Sequence, residues 1–248
     1  MAQNVYDDAA FFAAYGRLPR SVVGLDAAPE WPTLRSLLPP VTGLRIVDLG
    51  CGYGWFCRWA ADGGAVSVLG IDISERMLER AAADTNDARV TYARCDLDGA
   101  HLGSDEFDLV YSSLTLHYVV GLDRLLAQIA GSLRTGGRFV FSCEHPILTA
   151  PSAQAFVDGP NGRVWALDQY QLEGERVTNW LADGVVKQHR TITTYFAALR
   201  RAGFEVTDLV EWRPTDSELV EHPDWAAELD RPMFLLVGAT LRSTGRLG

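Results

Sequence analysis

Between Arg45 and Gly54 an apolar run, Arg45-Ile46-Val47-Asp48-Leu49, breaks into alternating glycines at Gly50, Gly52 and Gly54. Such a change reads as a buried strand turning tightly into a helix, because glycine tolerates positive φ and lets the backbone approach a ligand closely. A second apolar run, Val66 to Ile71, ends on Asp72, 22 positions after Gly50. A carboxylate at that spacing is placed to accept hydrogen bonds from ribose hydroxyls. Glycine loop and carboxylate together describe a pocket for an adenosine-containing cofactor. The spacing then separates one cofactor from another. A dinucleotide loop, G-x-G-x-x-G, needs a small residue at position 55, where this chain has Trp55. Asp48, an acid at the mouth of the loop, would repel a pyrophosphate and suits a ligand that carries an amino group and a sulfonium.

Five segments in register from about 41 to 145 carry a resemblance. Asp48-Leu49-Gly50-Cys51-Gly52-Tyr53-Gly54 resembles the first motif of the class I S-adenosylmethionine-dependent methyltransferases, and Gly70 to Leu78 the second. Arg94-Cys95-Asp96-Leu97 is similar to the third, Phe107 to Ser113 to the fourth strand, and Leu133 to Phe139 to the turn into the fifth. The resemblance implies a Rossmann-like, seven-stranded, mostly parallel sheet with one antiparallel strand and helices on both faces. It implies S-adenosylmethionine as cofactor and S-adenosylhomocysteine as product. It places Gly50, Cys51 and Gly52 against the cofactor, Asp72, Ile73 and Met77 around the ribose end, and Asp96 with Leu97 at the adenine. Ser112 falls beside the methionine part, and Asp48 faces the amino group directly or through water.

The residue pattern agrees with that fold class. Strands at 44–49, 66–71, 89–94, 107–112 and 137–143 alternate with helices at 54–62, 75–84 and 121–133, a rhythm that demands a parallel sheet with right-handed crossovers. A helix over 191–202, stopped by Gly203, then leads to strands at 204–212 and 232–241. The whole chain, 1–248, is expected to form a single α/β domain. It divides into an N-terminal helical cap (1–40), a cofactor-binding core (41–145), an insertion (146–190) and a C-terminal helix with the last strands (191–248). Helices are predicted at 8–15 and 31–38 within the cap. The insertion breaks the rhythm with Pro146, Pro151, Pro160 and several glycines, yet carries Phe156, Trp165, Tyr170 and Trp180. Disordered segments are poor in aromatics, so this stretch is read as ordered, either a lid closing on substrate or an extra β-hairpin on the sheet edge.

Methyl transfer from a sulfonium asks the protein for alignment, exclusion of water and a place for the nucleophile's proton. Glu144-His145-Pro146 closes the fifth strand at the carboxyl edge, and His145 is the candidate base, or else a histidine bonded to nearby backbone. Glu144, His117, Trp165, Tyr170 and Tyr195 are candidate substrate contacts; for His117 simple packing is the competing reading. In the cap, Tyr15 is placed near the sulfonium by cation–π attraction and Arg20 near the methionine carboxylate, with an apolar helix on the sheet edge as the alternative.

A net charge of −10 and the lack of any basic run argue against a nucleic-acid target. No apolar stretch is long enough for a membrane span, and the first residues have neither the basic start nor the apolar run of a signal peptide, so a cytoplasmic protein is expected. The four cysteines, Cys51, Cys57, Cys95 and Cys143, show no C-x-x-C pair and no zinc spacing, and no metal is expected. The expected partner is a small-molecule methyl acceptor, taken up by a monomer or homodimer through an oxygen, nitrogen or carbon atom. Two rival readings remain. An NAD(P)-dependent Rossmann oxidoreductase would need a small residue at 55 and a Tyr-x-x-x-Lys motif, neither of which is present. A non-catalytic S-adenosylmethionine-binding partner protein would share the cofactor motifs and differ only in turnover.

Overall fold

The computed structural model describes residues 3–160 and 162–242. The ends of the expected single domain, 1–2 and 243–248, and position 161 of the insertion lie outside the described residues. The chain begins with α1 (Ala9–Tyr15), whose first amides are capped by the Asp8 carboxylate, then α2 (Pro19–Val22) and α3 (Trp31–Ser36). There follow β1 (Arg45–Leu49), α4 (Trp55–Asp62), β2 (Ser67–Asp72), α5 (Glu75–Ala83), β3 (Val90–Arg94) and β4 (Phe107–Ser113). Then come α6 (Leu122–Ser132), β5 (Leu133–Glu144) and α7 (Pro146–Thr149). The insertion continues as two hairpins, β6 (Phe156–Gly159) with β7 (Gly162–Trp165) and β8 (Gly174–Trp180) with β9 (Ala182–His189). The chain closes with α8 (Ile192–Arg201), β10 (Phe204–Glu211), α9 (Asp216–Glu221) and β11 (Phe234–Leu241).

Seven strands form one sheet in the order β10-β11-β5-β4-β1-β2-β3, and only β11 runs against its neighbours. Side chains alternate across a strand, so each strand serves two cores. Val47, Leu49, Val110, Phe139, Phe141, Leu235 and Val237 meet α6 and α8 on one face. Ile46, Leu109, Tyr111 and Leu236 meet α3 and α4 on the other. Burial on both faces is why these strands read as near-continuous apolar runs.

The same arrangement creates the site. β1 lies between β4 and β2, and the helices that follow β1 and β4 go to opposite faces of the sheet. The loops leaving β1 and β4 therefore diverge and open a crevice at the carboxyl ends of the strands. Neither hairpin joins the seven-stranded sheet, so the insertion adds no strand to its edge. Along β9, Val185, Lys187 and His189 turn inward as their neighbours turn out. Among the described residues, no helix is long and apolar enough to cross a membrane.

Candidate active site

A cavity of about 960 Å³ opens over the carboxyl ends of β1 to β5. Its floor is the glycine loop. Gly50 sits at φ +78°, and a Cβ there would collide with the Thr115 side chain, so only glycine fits between the loops after β1 and β4. Gly52, at φ +51°, instead faces open space, the nearest atom to an added Cβ being the Tyr15 hydroxyl at 4.0 Å. A side chain at that position would project into the cavity. The Gly52 amide donates to Asp72 Oδ2 at 2.9 Å, and the Ser74 amide donates to Oδ1 at 2.9 Å. Each carboxylate oxygen of Asp72 keeps lone-pair capacity beyond these bonds.

Asp48 is buried beneath the loop, where the Cys57 thiol lies 3.4 Å from its Oδ2. Burial first, and the nearby charge of Asp72 to a smaller degree, raise its carboxyl to about 7 against the lowering bond from Cys57. Beyond β3, Asp96 accepts from the Asp98 amide at 3.0 Å and, with Leu97, lines the wall next to Ile73 and Met77.

The far end of the cavity is polar and buried. Lys187 Nζ donates to Glu144 Oε1 at 2.5 Å and lies 5.2 Å from the ring centre of Trp180. Glu144 Oε2 is buried with no hydrogen-bond partner among the described residues. The Glu144 amide donates to His117 Nδ1 at 3.3 Å, which places the proton of the neutral ring on Nε2, 4.0 Å from Glu144 Oε1. Burial, reinforced by Lys187 and Arg190, outweighs the pull of Glu144 and lowers His117 to about 4, so the ring is neutral at physiological pH. Between this end and Asp72 stands an aromatic bridge. Tyr6 meets Tyr15 edge-on at 5.4 Å, and its hydroxyl lies 3.4 Å from that of Tyr118.

The structure thus gathers Tyr15, Arg20, Asp48, Gly50, Cys51, Gly52, Asp72, Ile73, Met77, Asp96, Leu97, His117 and Glu144 around one cavity. Arg20 arrives with both carboxylate oxygens of Glu30 at 2.8 Å, so it enters the wall as half of an ion pair. Five expected residues fall elsewhere. Ser112 is buried and donates its hydroxyl to the Leu49 carbonyl, while its neighbour Ser113 lines the cavity. His145, the candidate base, has both ring nitrogens occupied. Nδ1 accepts from the Ile147 amide at 3.1 Å as the cap of α7, and Nε2 pairs with Glu211 Oε1 at 2.8 Å. Trp165 donates its indole N–H to the Ile147 carbonyl. Tyr170 accepts at its carbonyl from His189 and packs on that ring. Tyr195 is buried in the core against Phe141.

Sequence reasoning missed Lys187, Tyr6 and Tyr118. Lys187 gave no signal, because Gly184-Val185-Val186-Lys187-Gln188-His189 does not alternate in polarity and only burial shows that Lys187 faces inward.

The fold is shared with solved structures. An S-adenosylmethionine-dependent methyltransferase from Mesorhizobium loti superposes with a TM-score of 0.85 and 55% identity, over 88% of this chain and 100% of that one. The family model "Methyltransferase domain" matches residues 47–141. This chain belongs to the S-adenosylmethionine-dependent methyltransferases. An uncharacterised protein of Haemophilus influenzae is 32% identical over 95% of this methyltransferase and 96% of its own length. The 27-O-demethylrifamycin SV methyltransferase of Amycolatopsis mediterranei is 31% identical over 80% of this chain and 65% of its own.

The methyltransferase's residues fit its cofactor, S-adenosylmethionine. Gly52 leaves clear the volume a side chain would fill, Asp72 keeps acceptor capacity for a diol, and Asp48 is a buried acid beside the Cys57 thiol. When bound, the cofactor supplies an electrophilic methyl group together with its own leaving group.

Proposed function

We propose that the enzyme transfers the methyl group to a small-molecule acceptor lodged between the glycine loop and the Glu144–Lys187 pair. One observation carries this reading: a single cavity reaches from Asp72 to Glu144, with room at about 960 Å³ for cofactor and acceptor together. The net charge of −10 supports a small acceptor over a nucleic acid. The O-methyltransferase named among its relatives supports it as well.

In this reading Asp72 takes the ribose hydroxyls, Asp96 and Leu97 meet the adenine, and the loop from Gly50 to Gly52 passes under the sulfur. Ile73 and Met77 pack on the nucleoside. Asp48 and Tyr15 attend the amino end, and Arg20 the carboxylate, in competition with Glu30. Ser113 takes the place expected of Ser112. The N-terminal segment and the β8–β9 hairpin act as a lid, Tyr6 and Tyr15 from one side and Trp180 and Lys187 from the other. The protein's contribution to an in-line displacement is alignment and exclusion of water.

Calorimetry tests the cofactor half. S-adenosylmethionine and S-adenosylhomocysteine should bind, NAD should not, and Asp72→Ala should weaken binding at least tenfold. Micromolar NAD binding with no response to S-adenosylmethionine would overturn the reading. Formation of S-adenosylhomocysteine with a panel of metabolites tests the acceptor half, and binding without turnover of any of them would favour the non-catalytic partner protein.

A further inference from the structure

Where β5 ends, the cavity is lined by Glu144, Lys187 and His117, three side chains whose polar atoms lie within 4.0 Å of Glu144 Oε1 or on it. We infer, resting on the methyl-transfer reading above, that the acceptor atom is the hydroxyl oxygen of a phenol or enol, that Glu144 takes its proton, and that Lys187 holds the negative charge that develops.

The inventory of donors and acceptors points there. The buried Oε2 of Glu144 has no hydrogen-bond donor among the described residues, a costly state that an incoming O–H would relieve. Lys187 carries three N–H donors, of which one meets Glu144 Oε1 and another direction meets the Trp180 face. His117 cannot be the base, because its Nδ1 lone pair holds the Glu144 amide and its Nε2 carries the proton. It presents a donor instead. An acceptor group that gives one hydrogen and takes one or two in return matches this set, and a hydroxyl is such a group.

Charge bears on the main alternative. The charges acting on the His117 ring are Glu144, Lys187 and Arg190, and of the two cations Lys187 is the one that lines the cavity. Arg190 spends its guanidinium on the backbone carbonyls of Leu116, Val119 and Val120, so its charge is not cancelled there. An amine acceptor would bring a cation next to Lys187, whereas an oxygen losing its proton is drawn to it. A carbon acceptor would leave the donors of Lys187 and His117 unmatched. In the transfer, the acceptor oxygen forms its bond to the methyl carbon as the carbon–sulfur bond breaks, the electron pair staying on sulfur. The hydroxyl proton goes to Glu144 and then to water.

The probe is 4-nitrophenol, whose neutral and ionised forms absorb at different wavelengths, titrated into enzyme loaded with S-adenosylhomocysteine. At a pH where the free probe is mostly neutral, the bound probe should be the phenolate. Glu144→Gln should bind it at least tenfold more tightly, since Lys187 loses its counter-charge, and Lys187→Met at least tenfold more weakly. In turnover, Glu144→Gln should slow methylation increasingly as the phenol becomes less acidic, and Glu144→Asp should restore part of the rate. A merely structural role for the pair would move both variants in the same direction. The isosteric Glu144→Gln keeps the test decisive if Lys187→Met does not fold. If S-adenosylhomocysteine fails to bind, the methyl-transfer reading itself falls. If it binds while nitrophenol is bound neutral, or not at all, or primary amines are methylated in its place, only the hydroxyl assignment falls.

Discussion

Burial raises the Asp48 carboxyl to about 7 because the side chain has left water for a site where the Cys57 thiol is its hydrogen-bond donor. The sign for stability follows from linkage. A group whose pKa is higher in the folded state contributes stability that is complete below its unfolded value, near 3.8, and is lost as pH rises through about 7. A shift of that size corresponds to at most about 4 kcal/mol. Denaturant titrations should therefore show the wild type losing stability between pH 4 and pH 7 relative to Asp48→Asn, in which this contribution is absent. Cofactor affinity should run the other way, since an ammonium partner favours the ionised carboxylate. Binding is expected to weaken as pH falls below 7, with proton release visible as a buffer-dependent heat, and Asp48→Asn should flatten that profile. His145 gives the contrasting case. Burial keeps its imidazole below the usual range despite the opposing pull of Glu211, and both nitrogens are spent on local structure. His145→Ala is expected to cost about 1–2 kcal/mol, the loss of a helix cap, and to leave turnover at neutral pH unchanged. Reading a strand-end histidine as a base rested on position alone, because sequence does not show what its ring nitrogens touch.

Among the elements, the N-terminal segment is hydrogen-bonded to the start of α5 through Asp7. Asp7 Oδ1 accepts from the Ser74 hydroxyl at 2.6 Å and from the Arg76 amide at 3.2 Å, latching the cap to the first turn of α5 beside Asp72. Asp7→Ala should release it, speeding tryptic cleavage at Arg17 and Arg20 and weakening S-adenosylmethionine binding several-fold, with little change in global stability. Limited proteolysis with and without S-adenosylhomocysteine would show both effects. The alternating strands and helices were legible because each is specified by local periodicity. Where an element departed from expectation, a neighbour was responsible. β5 begins at Leu133, not at 137, because Gly136 at φ +79° absorbs an irregularity in its pairing with β4. α3 stops at Ser36, short of Pro39 and Pro40. The hairpins of the insertion were hidden, since glycine and proline mark turns without saying which strands they join.

For the whole molecule, a ligand that binds only the folded state adds about 2.7 kcal/mol at a hundred times its dissociation constant. A chain of this size should then melt roughly 5–10 °C higher with S-adenosylhomocysteine. NAD at the same concentration should leave the midpoint where it was, and Asp72→Ala should lose most of the shift. That Asp48 to Gly54, Asp72 to Met77 and Asp96 to Leu97 would share one cavity could be read in advance, because they lie at three consecutive strand ends and spacing along a β-α-β unit is spacing in space. The acceptor half could not. Glu144 ends β5, His117 follows β4, Lys187 stands in a hairpin of the insertion and Tyr6 precedes α1, and nothing in their separation along the chain brings them together. By itself the amino-acid sequence determined the sheet, the glycine turn and the carboxylate at the end of β2, all products of short-range periodicity and backbone sterics. Only tertiary packing decided which buried polar groups share a cavity, because a group's charge state and its unmet hydrogen bonds depend on neighbours that the fold alone supplies.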